Sequence, residues 1–280
     1  METRLIGVPY DSGIRGWRMG AGPDRLLAAG LADGLRECDH DAAVERIELP
    51  AAQGPEVRAA FDIAARLSDR VSAARAEGAL PIVLAGNCAT AVGTLAGLGD
   101  ADPAVLWLDA HADFNTPETT RSGMLDGMAL AIATGRCWAP LASTIPGFRP
   151  VPHTRVCLIG TRDVDDAEAE LLRAASIQSI APAQVADGLS AALDTLRAET
   201  ETVYLHVDLD VLDPGEATAN AFAAPDGLRL TQVLELIAAV RSRFRIGAVA
   251  LTAYDPAYDA DARIPAAASA ILDAITREAV

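Results

Sequence analysis

The stretch Ala104-Val-Leu-Trp-Leu-Asp-Ala-His-Ala-Asp113 decides the reading of this chain, because an apolar run ends abruptly in alternating charge. The same design returns at Thr202-Val-Tyr-Leu-His-Val-Asp-Leu-Asp210, which continues through Val-Leu-Asp-Pro214. Such runs suit strands of a parallel sheet that are buried on both faces, so each delivers its acids at the strand's carboxyl end. Open α/β sheets bind ligands along that edge.

The charged residues alternate. Along an extended strand end, residues i, i+2 and i+4 point to one side, so Asp109, His111 and Asp113 are expected to face one site, with Ala110 and Ala112 turned away. Asp208 and Asp210 share that spacing. Helix caps or turns account for single aspartates but not for alternating acids at two strand ends. Four carboxylates and an imidazole gathered at one place repel one another and lose hydration unless cations neutralise them. Oxygen donors with one imidazole suit Mn²⁺ or a similar first-row ion, and the set exceeds what one ion needs. The residues therefore point to a two-metal hydrolytic site. His206 reads as a strand residue or a contact behind that site, and His40 and His153 add no ligand pattern.

The rest of the chain agrees with a compact α/β enzyme. Its 280 residues are 51% hydrophobic and 22% charged, enough for a sizeable core. A net charge of −16 argues against nucleic acid or an anionic membrane as partner. Cys38, Cys88, Cys137 and Cys157 are widely spaced with no Cys-x-x-Cys pair, which favours a reducing cytoplasm. The amino terminus does not read as a signal peptide, and no apolar stretch reaches bilayer length.

Short β-rich runs alternate with longer Ala/Leu/Arg/Glu-rich segments, the pattern of βαβ units. Strands are expected at residues 4–8, 81–84, 105–108, 155–159, 202–207 and 247–251. Helices are expected at 56–77, 165–174, 182–197, 231–241 and 265–277, with Thr231 as an N-cap. Residues 139–152, with four prolines, read as a loop. No repeat or linker divides the chain, so residues 1–280 are expected to form one domain, a three-layer αβα arrangement around a mostly parallel sheet.

Asp109-Ala-His-Ala-Asp-Phe-Asn-Thr-Pro-Glu-Thr-Thr-Arg-Ser-Gly123 resembles the metal and substrate loop of arginases. His206-Val-Asp-Leu-Asp-Val-Leu-Asp-Pro214 resembles the second metal motif of the arginase, agmatinase and formiminoglutamase superfamily. Gly160-Thr-Arg-Asp-Val-Asp165, Ile6-Gly-Val-Pro-Tyr10 and Gly20-Ala-Gly-Pro23 are similar to further family segments, and Ala85-Gly-Asn-Cys88 stands where the family has Gly-Gly-Asp-His. The resemblance covers nearly the whole chain. It implies an arginase-like fold, a homotrimer or homohexamer, and two divalent ions, usually Mn²⁺, held by Cys88, Asp109, His111, Asp113, Asp208 and Asp210. It implies that a metal-bridging hydroxide attacks the amidine carbon of a small substrate, with Asp113 and Asp126 as the catalytic carboxylates. Asn115, Thr120 and Ser122 match residues that hold an amino acid's α-carboxylate, while Asp163 and Asp165 lie at positions near its α-amino group. Met124 replaces an asparagine of that head-group site.

Three departures bear on the substrate. Cys88 replaces a histidine ligand; its thiolate adds one negative charge, weakens the metals as Lewis acids and favours softer ions such as Zn²⁺ or Fe²⁺. A cysteine here is similar to the hydroxyarginine amidinohydrolase branch. Asp126 replaces a proton-shuttling histidine; a carboxylate there acts as a general acid near neutrality only when burial raises its pKa, or else serves as an anionic contact for the substrate. Ala253 replaces the glutamate that grips the guanidinium, a charge-assisted contact worth several kcal/mol. The expected enzyme thus hydrolyses a guanidino, N-hydroxyguanidino or formimino group on an amino-acid-like substrate. The alternatives are a non-catalytic regulatory protein that keeps fold and metal site, and an amide hydrolase of the broader fold, which the 115–123 segment disfavours.

Overall fold

The computed structural model describes residues 2–37, 42–50 and 55–277; Cys38 and His40 lie outside them. The strands among the described residues run β1 Thr3–Val8, β2 Tyr10–Asp11, β3 Ile14–Arg15, β4 Ala42–Arg46, β5 Leu80–Ala85, β6 Ala104–Leu108, β7 Val156–Ile159, β8 Gln178–Ile180, β9 Thr202–Asp208 and β10 Arg245–Thr252. The α-helices among the described residues run α1 Gly22–Ala28, α2 Leu31–Glu37, α3 Glu56–Ala76, α4 Ala91–Leu98, α5 Ala129–Ala133, α6 Ala139–Ala142, α7 Asp166–Ala175, α8 Val185–Glu199, α9 Leu230–Arg241 and α10 Arg263–Thr276.

Eight strands form one sheet in the order β4-β1-β5-β10-β9-β6-β7-β8, and every neighbouring pair is parallel. Alternate residues of the central strands feed two cores. Leu84, Leu108, Val207 and Leu251 pack on one face with Leu193 of α8, Ile237 of α9 and Ile271 of α10. Val83, Val105, Trp107 and Ala250 pack on the other with Leu67 of α3 and Leu95 of α4. This is the expected three-layer αβα architecture, and it explains why the central strands read as continuous apolar runs.

Register then aligns the strand ends. Leu108 pairs with Val207, Val207 with Leu251, and Leu251 with Leu84. Whatever follows these four residues emerges on one edge of the sheet, next to the β5–β10 and β9–β6 neighbours.

Several elements differ from expectation for physical reasons. The strands β4 and β8 sit at the sheet's two edges and are only partly buried, so they lack a continuous apolar run. Every residue of α4 is buried, which removes the amphipathic period. Residues 139–152 contain α6 rather than loop alone. Thr231 is not the N-cap of α9: the helix begins at Leu230, whose N–H donates to Glu216 at 2.7 Å, while the Arg229 N–H donates to Gln232 Oε1 at 3.0 Å. Two other side chains satisfy the first turn, so a threonine cap is not required.

Candidate active site

Gly86 follows β5 because nothing larger fits: a Cβ there would meet the Tyr10 carbonyl oxygen at 2.2 Å. The turn it allows brings Asn87 and Cys88 over the sheet edge, where Cys88 starts a 3-10 turn. The Cys88 thiol lies 3.0 Å from Asp208 Oδ2 and 3.2 Å from Thr252 Oγ1, and its N–H donates to Asp126 Oδ1 at 2.6 Å. Three adjoining strand ends therefore meet at one sulfur.

Past β6 the backbone does not stay extended, which corrects the expected alternation. Asp109 Oδ1 accepts the His111 N–H at 2.7 Å, and Asp113 adopts a left-handed φ of 50°. That turn lets the Asp113 carbonyl accept from Leu130 and Ala131 at the start of α5. The side chains still converge. His111 Nδ1 stands 3.3 Å from Asp109 Oδ1 and 3.5 Å from Asp210 Oδ2. Asp210 Oδ1 accepts the Ala110 N–H at 3.2 Å, and Asp208 Oδ1 accepts the Asp210 N–H at 2.9 Å. Turns rather than pleat periodicity gather these groups.

A cavity of about 270 Å³ opens above them. Cys88, His111, Asp113, Asp208 and Asp210 line it, with Asn115, Ser122, Asp126, Asp163 and Asp165. Asp109 lies beneath, almost wholly buried, with Oδ2 accepting from Trp107 Nε1 at 2.9 Å. Thr120 is the exception: it does not line the cavity, and its hydroxyl accepts the Gly123 N–H at 3.0 Å. The loop's own backbone thus uses that hydroxyl as an acceptor.

The electrostatics are those of acids crowded away from water. Burial, then the Asp210 charge, lifts Asp109 to about 6; burial, then Asp109, holds Asp113 well above its ordinary range. Burial also raises Asp208 and the Cys88 thiol, each further opposed by neighbouring carboxylates. For His111, burial alone would lower the pKa, but the Asp109 hydrogen bond and the Asp210 charge override it and carry it to about 10. Asp126, partly exposed, is raised to about 8, chiefly by burial.

This donor set fits divalent cations. Asp113 Oδ2 is buried without a hydrogen-bond partner, a costly state that a bound cation relieves. Ligand atoms lie within 4.8 Å of one another in the sets Cys88–Asp113–Asp126, Asp109–His111–Asp210 and Cys88–Asp109–His206. The last set brings in a histidine that the sequence left without a ligand pattern. The His206 ring stacks on Trp107 at 3.6 Å, its Nδ1 is bonded to the Tyr204 hydroxyl at 2.8 Å, and burial presses its pKa down to about 3. It is a neutral support under the acids.

The arginase family model matches residues 1–276. The chain belongs to the arginase family. It is 33% identical to an arginase of Brucella melitensis over 252 residues, covering 81% of this chain and 80% of that protein. It is also 33% identical over 198 residues to an N(omega)-hydroxy-L-arginine amidinohydrolase of Streptomyces lavendulae, covering 70% of this chain and 68% of that one. The structure of the Bacillus caldovelox arginase superposes with a TM-score of 0.90 at 27% identity, covering 100% of this chain and 99% of that chain.

Within this arginase-family site, several cavity residues escaped sequence reasoning. Glu168 is buried, accepts the Phe114 N–H at 2.7 Å and is raised to about 7, mainly by burial. Its place three residues after Asp165, in the first turn of α7, reads in sequence as a capping pattern. Met19, Asn220 and Phe222 also line the cavity but belong to no readable pattern. Ala253 lines it too, at a left-handed φ of 61°. Asp165 pairs with Arg121 at 3.0 Å and occupies the N-cap position of α7 without capping it. Asp163 is exposed, 3.9 Å from His111 Nε2.

Among the described residues, no helix is long and apolar enough to cross a membrane.

Proposed function

We propose that this arginase-family chain is a metal-dependent amidinohydrolase acting on a small amino-acid-like substrate whose amidine is substituted or less basic than arginine's. An N-hydroxyguanidino or formimino group meets that description. The observation that carries the reading is Ala253: a methyl group lines the cavity wall where the resemblance places a guanidinium-binding glutamate. The Streptomyces lavendulae relative, named for N(omega)-hydroxy-L-arginine, supports the first of these classes.

Cys88, Asp109, His111, Asp113, Asp208 and Asp210 would hold two divalent ions. Mn²⁺ is the first choice for the oxygen donors, with Fe²⁺ or Zn²⁺ favoured by the thiolate. Such ions supply hydroxide near neutral pH by lowering the pKa of bound water. Asp126 faces the same cavity, anchored by the Cys88 N–H, and burial raises its pKa to about 8 in the metal-free protein. It is placed to hand a proton to a departing amine. Asn115, with its amide oxygen taken by the Thr119 hydroxyl at 2.9 Å, offers its NH₂ to a carboxylate, beside the Ser122 hydroxyl. Asp163, Asp165 and the buried Glu168 offer negative charge to an α-amino group. By resemblance the protein assembles as a trimer or hexamer, which sedimentation measures.

The test is hydrolysis by protein loaded with Mn²⁺, Fe²⁺ or Zn²⁺, using Nω-hydroxyarginine, a formimino amino acid, arginine and a decarboxylated guanidine. Faster turnover of a substituted or formimino substrate is expected. Arginine turned over as fast as the best alternative would overturn the substrate assignment. Absence of both bound metal and hydrolysis would identify a non-catalytic member instead.

A further inference from the structure

Asn220 is buried, with 2% exposure, and its amide makes three bonds to three different parts of the site. Nδ2 donates to Asp210 Oδ2 at 3.2 Å and to the Ala253 carbonyl at 2.8 Å. Oδ1 accepts the Phe222 N–H at 2.8 Å. Asp210 belongs to the acid cluster, Ala253 to the wall and Phe222 to the exposed rim of the same cavity. The neighbouring Asp255 N–H donates to the Ala219 carbonyl at 2.8 Å, so the loop bearing Asn220 is stitched to the segment after β10 by a backbone bond as well as by the amide.

We propose that Asn220 is a positioning residue of the metal site, aiming the Asp210 carboxylate while locking Ala253 and the Phe222 rim to it. This rests on the proposed function, since the carboxylate is aimed at a cation. The chemistry of the pair favours the assignment. Asp210 Oδ1 is fixed by the Ala110 N–H, so Oδ2 is the oxygen left to be steered, and it also faces His111 Nδ1 at 3.5 Å. A carboxamide supplies a directed donor with no net charge. An arginine or lysine in its place would fix the carboxylate equally well but would compete electrostatically with a divalent ion. Partners standing behind ligands in this way commonly tune metal affinity by about 10–100-fold.

Ala253 gives the lock a second purpose. A non-glycine residue held at a left-handed φ needs its surroundings to impose that backbone. Its N–H donates to the Ala85 carbonyl at 3.3 Å and its own carbonyl is held by Asn220. The methyl group on the cavity wall is thereby placed by the same amide that orients Asp210.

Asn220→Leu keeps the shape of the side chain and removes all three bonds; Asn220→Ser is the milder companion should the leucine variant not fold. Titration calorimetry of the metal-free proteins with Mn²⁺, and separately with Zn²⁺, reads the effect directly. The expected result is a 10–100-fold loss of affinity at one site of the pair, with kcat falling more than KM changes. A purely structural residue would lower the thermal midpoint of the metal-free protein while the folded variant kept wild-type metal affinity. That result in the folded variant would overturn the assignment and leave the proposed function standing. A wild-type protein that takes up neither ion would overturn the proposed function, and this inference with it.

Discussion

The sulfur of Cys88 lies 3.0 Å from Oδ2 of Asp208, although one residue follows β5 and the other ends β9, with β10 between them. The contact joins a thiol to a carboxylate across an intervening strand. Burial first, and then the charge of Asp208, keeps the Cys88 proton on sulfur. A divalent ion entering here must displace that proton, because the thiolate is the ligand form.

Cys88→His should change which metal the site prefers. Imidazole restores a harder, neutral donor and removes one negative charge from the ligand set. The ratio of Mn²⁺ to Zn²⁺ affinity is expected to rise about tenfold or more, equivalent to about 1.4 kcal/mol. Competition against a chromophoric chelator measures it for each ion in turn. An unchanged ratio would place Cys88 outside the coordination sphere.

Stability without metal should fall as pH rises from about 4 to 8. The direction follows from proton counts. Burial raises Asp109 from 3.8 to about 6, Glu168 from 4.5 to about 7 and Asp126 from 3.8 to about 8. Below their ordinary values these acids are protonated in both states and contribute nothing. Through the window up to about 8, the native protein retains protons that the unfolded chain has released, so unfolding becomes easier with each step upward. His111, raised from 6.5 to about 10, extends the same slope to higher pH. Adding Mn²⁺ should reverse the trend, with the metal-induced gain in thermal midpoint growing with pH. Calorimetry with and without metal at several pH values tests this; a flat metal-free profile would contradict it.

The sequence made the sheet and the acids legible for one reason: β6 and β9 are buried on both faces, so apolar runs ending in charge mark both the strand and its ligand edge. Edge strands β4 and β8 carry no such mark. Asp113 shows what periodicity alone misses. Its carboxylate reaches the cavity from a left-handed turn that frees its carbonyl for α5, not from an extended strand. Glu168 is concealed by looking like a capping acid, and Asn220 by sitting in an irregular segment whose importance comes from distant partners at Asp210 and Ala253. Thr120 is expected beside the cavity but does not line it, and its hydroxyl accepts the Gly123 N–H.

Arg162 should be a stability determinant of the site. Its guanidinium donates to the carbonyls of Gly160, Asp210, Val211, Leu212, Ala224 and Pro225. A planar fork can reach carbonyls on several sides, whereas a lysine ammonium donates from a single point. Arg162→Lys is expected to cost about 2–4 kcal/mol by leaving sheltered carbonyls unpaired. For a chain this long, that lowers the thermal midpoint by roughly 3–7 °C. Mn²⁺ affinity should drop as well, because the Asp210 backbone is among the groups released. A midpoint within about 1 °C of wild type would show that water replaces the guanidinium at little cost.

Ala253→Glu tests the substrate reading from the opposite direction. Alanine already carries a Cβ at this left-handed position, so the substitution adds no new backbone demand. The added carboxylate enters a cavity rich in acids, and the metal-free protein should lose about 1 kcal/mol of stability. In return the wall gains a charge-assisted partner for a guanidinium, which a protonated guanidine exploits and a less basic N-hydroxyguanidine exploits less. Arginine kcat/KM is expected to rise about tenfold or more relative to Nω-hydroxyarginine, a change of about 1.4 kcal/mol in relative transition-state stabilisation. The ratio of the two specificity constants is the quantity to measure, since it cancels differences in metal loading between preparations. A ratio unmoved by the glutamate would mean that Ala253 does not border the amidine, and the substrate class would have to be sought from the other walls of the cavity.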